Sequence, residues 1–333
     1  MLRMRICLMI LWACIAFLAD ARPAAAESEG PHASQTDLDA VYTLEHFVPV
    51  GPGRKVHMTE KFTLRSWLRY PRRAVLMLPG PIVKASFYDL HTDGYSFQSD
   101  LAQAGFFAFA IDYEGSGEST SPPDGRSVTH EFLVDEGRRV LEAVRRLRGV
   151  ARVDVHGQSI GGAVASELCE DATRTRTCVL SSMLYRTPSE FFKKVFLDPA
   201  FIAFLEGQPN GYLPTTPSFY SINIVTRSPA PVADEILATQ PGPYPVMTVL
   251  RPAYGLPWFD PTRAKVPGLI VQGTLDTIPA ATDPEDLRAA YGTRGGGNAK
   301  LVWISGGGHI PLIENAPFHI EYKTAVLDFL DSH

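Results

Sequence analysis

Short, wholly apolar runs alternate along this chain with longer stretches in which apolar positions recur at helical spacing. Residues 41–50 and 55–68 read as two opening strands, and 74–78 (Ala-Val-Leu-Met-Leu) as a short buried one. A helix is predicted over 95–103, a strand over 106–112, and a long helix over 128–147 with Phe132, Val140, Val144 and Leu147 on its inner stripe. A strand ending near Gln158, a helix from Ile160 and a strand opening at Cys178 follow. Strands at 266–272 and 300–304 and a helix over 317–330 complete the chain. Fully apolar strands separated by helices specify a mostly parallel central sheet flanked by helices on both faces, an α/β architecture.

The pattern breaks between Tyr185 and Lys265. This stretch shows no sheet strand and is rich in aromatic residues and proline, so it reads as an inserted lid or cap with a small core of its own. Pro229-Ala230-Pro231 and the segment from Pro241 to Pro245 read as extended turns rather than helices.

The amino terminus has the three-part layout of a secretory signal: Arg3 and Arg5, an apolar run from Ile6 to Leu18, then Ala24-Ala25-Ala26. Cleavage after Ala26 is expected, and the mature protein is expected to be secreted or periplasmic without a stable membrane span. The expected division is a signal peptide over 1–26, a core in two parts over 27–184 and 266–333, and the cap over 185–265. Of four cysteines, only Cys169 and Cys178 lie beyond the leader, on either side of a polar loop, and a disulfide between them fits export. The net charge is −5, more acidic once the leader's arginines are removed, and no basic block remains to hold nucleic acid.

The densest chemical signal is Gly157-Gln158-Ser159-Ile160-Gly161, placed where an apolar strand meets an alanine-rich helix. That context puts Ser159 on a sharp strand-to-helix turn with its hydroxyl exposed, and the glycines let neighbouring backbone pass closely. A serine hydroxyl needs a base, and the base needs an acid to orient it. Asp276 follows the 266–272 strand and His309 follows the 300–304 strand, each beside glycine. Asp112 also ends a strand, but the segment 112–119 reads as a structural turn, and His156 as a buried packing residue. No metal or organic cofactor is required by such a set.

With these features the chain resembles the α/β-hydrolase family across nearly all of residues 41–333. The resemblance rests on the Ser159 elbow, the 112–119 turn, Gly273 to Asp276, and Gly308-His309. It implies an α/β-hydrolase fold, with Ser159 as nucleophile, His309 as general base and then acid, and Asp276 as its orienter. It also implies an oxyanion hole with one donor from the Ile160 N–H. The second donor normally comes from the loop after the early strand, here Pro79-Gly80-Pro81-Ile82. Pro81 has no N–H, so Ile82 is the expected donor, with Gly80 the alternative and Tyr88 or a cap residue a further substitute.

The expected partner is a small or medium, largely uncharged ester-like molecule, since no cluster of Arg or Lys borders the inferred site. Arg186, Arg227 and Arg251 are the cations that folding can bring there. Amide, peptide or lactone hydrolysis by the same residues is the enzymatic alternative. An exported binding protein on the same scaffold is the non-enzymatic one. The sequence carries no signal of oligomeric state.

Overall fold

A computed structural model describes residues 38–333; the expected signal peptide lies outside them. The chain opens with two antiparallel strands, β1 (Tyr42–Gly51) and β2 (Arg54–Phe62), then a short helix, α1 (Leu64–Leu68). The second strand therefore ends earlier than its apolar pattern suggested. Ser66 accepts the Thr63 N–H at 3.2 Å and donates to the Phe106 carbonyl at 2.9 Å, which turns the chain into the helix.

Next come β3 (Ala74–Leu78), α2 (Phe97–Gln103), β4 (Phe107–Ile111), α3 (His130–Arg148), β5 (Val153–Gln158), α4 (Ile160–Leu168) and β6 (Thr175–Ser181). The cap holds α5 (Glu190–Phe196), α6 (Pro199–Glu206), β7 (Tyr212–Pro214), α7 (Pro217–Asn223), α8 (Ala230–Thr239), β8 (Pro243–Pro245) and α9 (Met247–Leu250). The core then resumes with β9 (Gly268–Gly273), α10 (Asp283–Ala290), β10 (Ala299–Ile304) and α11 (Phe318–Asp331).

Eight strands form one sheet in the order β1-β2-β4-β3-β5-β6-β9-β10, parallel from β4 to β10. Alternation within each strand feeds two cores. Leu76, Leu78, Phe107 and Phe109 pack on the face that carries Val140 and Val144 of α3 and Val164 of α4. Val75, Met77, Ala108 and Ala110 pack on the other face with Leu101 of α2 and Val326 of α11. The α3 stripe differs from expectation at Leu147, which is 42% exposed, while Leu141 is buried in its place. At about 100° per residue Leu147 stands roughly 120° around the helix from Leu141, so a stripe that buries Leu141 leaves Leu147 at its margin.

Two cap features depart from the sequence reading. Tyr212–Pro214 and Pro243–Pro245 pair as a small two-stranded antiparallel sheet, outside the main sheet. Pro229 and Pro231 begin α8 instead of blocking it, because a proline in a helix's first turn removes only an N–H that has no helical acceptor.

The expected bridge is present: Cys169, just past α4, is bonded to Cys178 in β6, with Cα atoms 6.1 Å apart. Both cysteines are fully buried. Among the described residues, no helix is long and apolar enough to cross a membrane.

Candidate active site

Ser159 occupies a backbone conformation that side chains rarely adopt, φ 53° and ψ −120°, between β5 and α4. Such a residue costs on the order of 1–3 kcal/mol, so its surroundings must enforce it. Its N–H donates to the Ser181 carbonyl at 2.8 Å, and its own carbonyl accepts the Gly162 N–H at 2.9 Å. A Cβ on Gly157 would lie 2.2 Å from the Gly161 oxygen, and one on Gly161 would lie 2.2 Å from the Leu78 oxygen. Both glycines are therefore steric requirements of the turn. Ile160 is the first residue of α4, so its N–H has no acceptor within the helix.

Asp276 and His309 lie beyond the carboxyl ends of β9 and β10, at the same edge of the parallel sheet as Ser159. His309 Nδ1 and Asp276 Oδ2 are 2.8 Å apart; the aspartate side chain is buried, while the imidazole keeps 26% of its surface. Burial pulls the imidazole's pKa down, but the Asp276 carboxylate, with Glu314 behind it, outweighs burial and leaves it raised. Among the described residues Ser159 Oγ makes no hydrogen bond to His309, a contact that tightens in substrate complexes of such sites.

Sequence reasoning missed three groups that build this pair. Gln272, the buried penultimate residue of β9, donates its amide to Asp276 Oδ2, and the Ile278 N–H donates to Oδ1 at 2.8 Å. Glu314 accepts the Gly308 N–H beside the histidine. A polar residue inside an otherwise apolar strand end was the available signal for Gln272.

The loop after β3 is fastened to the cap. Thr248 donates to the Pro81 carbonyl at 3.1 Å, Tyr220 donates to the Ile82 carbonyl at 2.5 Å, and the Lys84 N–H reaches the Gln240 side chain at 2.8 Å. In a trans peptide the N–H opposes the preceding carbonyl, so the Ile82 N–H points away from Thr248. Gly80 leaves room for Gln158: a Cβ there would come within 2.3 Å of Gln158 Oε1. Tyr88 cannot substitute as a donor, since it is fully buried and its hydroxyl is given to the Leu78 carbonyl at 2.9 Å.

The remaining candidates are engaged by other groups. Asp112 accepts His57 Nδ1 at 2.8 Å and the N–H groups of Ala85 and Glu118 at 2.7 and 3.0 Å. His156 is fully buried against the Tyr322 hydroxyl at 2.6 Å, and burial drives its pKa down to about 3. Arg186 pairs with Asp286 at 3.0 Å, Arg227 pairs with Glu314 at 2.9 Å, and Arg251 lies over the Trp258 ring at 5.9 Å.

A groove of about 710 Å³ runs between the starts of β9 and β10 and helix α11, at the opposite edge of the sheet from the serine. A second, of about 380 Å³, is lined by His57, Lys84, Asp112 and Gly242. Neither contains Ser159, Asp276 or His309. Among the described residues no cluster of His, Cys, Asp and Glu is arranged to hold a metal.

Residues 75–319 match the family described as "Alpha/beta hydrolase family". No curated protein sequence matches the chain. Among solved structures, it is similar to an esterase from Thermogutta terrifontis at 17% identity and a TM-score of 0.62, covering 87% of this chain and 98% of that one. It is also similar to an esterase from Exiguobacterium antarcticum (16%, 0.62, covering 86% and 100%). An enol-lactonase from Burkholderia xenovorans is similar at 18% identity and a TM-score of 0.59, covering 85% and 99%.

Proposed function

As this chain belongs to the alpha/beta hydrolase family, we propose that it is a serine hydrolase that cleaves a carboxylic ester through an acyl-serine intermediate. The observation that carries the reading is the enforced Ser159 elbow, at the same sheet edge as the 2.8 Å Asp276–His309 pair. Asp276 takes the Nδ1–H of His309, so the tautomer left exposes Nε2 as an acceptor for the serine proton.

In the proposed reaction Ser159 Oγ attacks the carbonyl carbon while His309 Nε2 takes its proton. The Ile160 and Ile82 N–H groups hold the oxyanion, and His309 returns the proton to the departing alcohol oxygen. Water then attacks the acyl-serine with His309 again as base, releasing the acid and restoring Ser159. Each oxyanion donor in such a site is worth roughly 3–4 kcal/mol, which gives the orientation of the Ile82 peptide direct weight in the rate.

A small or medium, largely uncharged acyl ester is the proposed substrate class. The pairing of Arg186 with Asp286 and of Arg227 with Glu314 supports this, because neither guanidinium is left free to meet an anion. The esterase and enol-lactonase resemblances support ester-type carbonyl chemistry without naming a molecule. The proposed domain division keeps the cap within 185–265 between the two parts of the core, and the proposed location remains secreted or periplasmic.

The test is hydrolysis of p-nitrophenyl esters from acetyl to long acyl chains, with fluorophosphonate labelling of the same sample. Turnover and labelling that both vanish in Ser159→Ala support the reading, and the chain-length optimum then sizes the acyl site. Turnover that survives in Ser159→Ala refutes it. A folded wild-type protein that neither turns over nor labels points instead to a binding role.

A further inference from the structure

Three glycines precede His309, and their backbone is held from two directions. The Gly308 N–H donates to both carboxylate oxygens of Glu314, at 2.9 and 3.0 Å. Glu314 is buried, with its side chain 4% exposed, and it receives the Nε–H of Arg227 at 2.9 Å. The other arm of the same guanidinium donates to the Gly306 carbonyl.

Glu314 and the glycines belong to the core after β10, whereas Arg227 comes from the cap between α7 and α8. The arginine's own carbonyl is fixed in turn, by the Asn315 N–H at 3.0 Å and the Asn315 side chain at 2.7 Å. Its guanidinium lies 5.3 Å from the Phe318 ring centre. Packing around the joint is close: a Cβ on Gly308 would come within 2.6 Å of Glu314 Oε1 and 3.1 Å of Arg227 Nε.

A buried carboxylate without a partner is strongly unfavourable. Here its cationic partner is supplied by the cap, and both ends of the ion pair grip the loop from which His309 projects. We propose that Arg227 is a positioning residue: by pairing with Glu314 and holding Gly306, it fixes the His309 loop and offsets the carboxylate charge behind the imidazole. This inference rests on the reading of His309 as the general base.

The charged groups around His309 come from three elements: Asp276 after β9, Glu314 after β10, and Arg227 in the cap. Burial disfavours the imidazolium, while Asp276 and Glu314 favour it, and the balance leaves the group raised. Removing the Arg227 charge leaves Glu314 less opposed and favours the imidazolium further. Neutralising Glu314 does the reverse. The two ends of one ion pair must therefore move the histidine in opposite directions, which a purely structural contact does not require.

The test is the pH dependence of kcat/KM for p-nitrophenyl acetate in full-length wild type, Arg227→Met, Arg227→Lys, Glu314→Gln and the Arg227→Met/Glu314→Gln pair. The His309 imidazole is titrated in parallel by NMR, its resonance assigned by its absence from His309→Gln. The acid limb and the NMR titration move up by about half a pH unit in Arg227→Met and down by a similar amount in Glu314→Gln. The double variant lies between them. Arg227→Lys, which keeps the charge but not the two-point grip, keeps the wild-type limb and loses kcat several-fold.

Shifts of the same sign at both ends, or no shift in folded variants, overturn the proposal. If Arg227→Met does not fold, the Arg227→Lys and Glu314→Gln pair decides alone, since a Glu314→Gln limb that stays or rises refutes the coupling. Turnover surviving in His309→Gln refutes the catalytic reading, and the NMR titration then still judges the coupling by itself.

Discussion

The Cys169–Cys178 bridge offers a perturbation whose size follows from the covalent loop it closes. The cysteines are separated by nine positions, and the loop joins the end of α4 to the middle of β6. Closing a loop of roughly ten residues removes about 9 cal/mol/K from the unfolded chain, or about 2.7 kcal/mol at 25 °C. For an ordered chain near 300 residues the unfolding entropy is about 0.6 kcal/mol/K, so reduction lowers Tm by about 4 °C.

Reduction with dithiothreitol is a cleaner perturbation than substitution. It leaves both side chains in place, whereas alanine at two fully buried positions adds a cavity cost. The assay is scanning calorimetry of oxidised and reduced protein, with thiol counting before and after. Ester turnover is measured on the same samples at 25 °C, and kcat/KM is expected to stay within about two-fold. Ser159 lies at the other end of a nine-residue helix, about 15 Å along its axis from the bridge. Equal Tm values for the two forms would refute the loop-entropy argument. An unchanged Tm with lost turnover would place the bridge's effect at the elbow instead.

Three further outcomes follow from the geometry. In the proposed mechanism His309 is the base and must be neutral; with its pKa raised above the ordinary imidazole value, kcat/KM is expected to fall as pH drops through that raised value, and Asp276→Asn moves that limb downward and lowers the rate, as a pH–rate profile will read. Gln272→Leu removes a donor to the Asp276 carboxylate and lowers kcat about ten- to a hundred-fold. Gln272 Oε1 is buried without a partner among the described residues, so losing that unmet acceptor offsets part of the lost bond and Tm falls by only a few degrees, while activity falls far more. His156, driven by burial to about 3, contributes stability that is complete above the unfolded value near 6.5 and is lost as pH falls from there toward 3. That loss amounts to about 2 kcal/mol at pH 5, and His156→Gln flattens the decline of Tm between pH 7 and pH 5.

What the sequence determined by itself was everything governed by short-range rules. Apolar runs located the strands of the parallel sheet, because a strand buried on both faces has no polar side to show. Gly157 and Gly161 marked the elbow, since only glycine lets the Leu78 and Gly161 backbones come so near. Strand ends alone also put Asp276 and His309 at one edge of the sheet. Tertiary structure decided the matters that depend on which distant segments meet. Leu147 turning outward and Ser66 ending the second strand follow from packing partners that no local pattern encodes, whereas Pro229 and Pro231 starting α8 obey a local rule that a proline-rich stretch obscures. The supports of the candidate site have the same origin. Gln272 reaches Asp276 only because β9 ends beneath that loop, and Arg227 reaches Glu314 across 87 positions of chain only because the cap folds back onto the histidine loop. The placement of the candidate residues at strand ends was legible because their spacing relative to strands is local; their partners were not, because a buried charge accepts whichever cation the fold delivers to it.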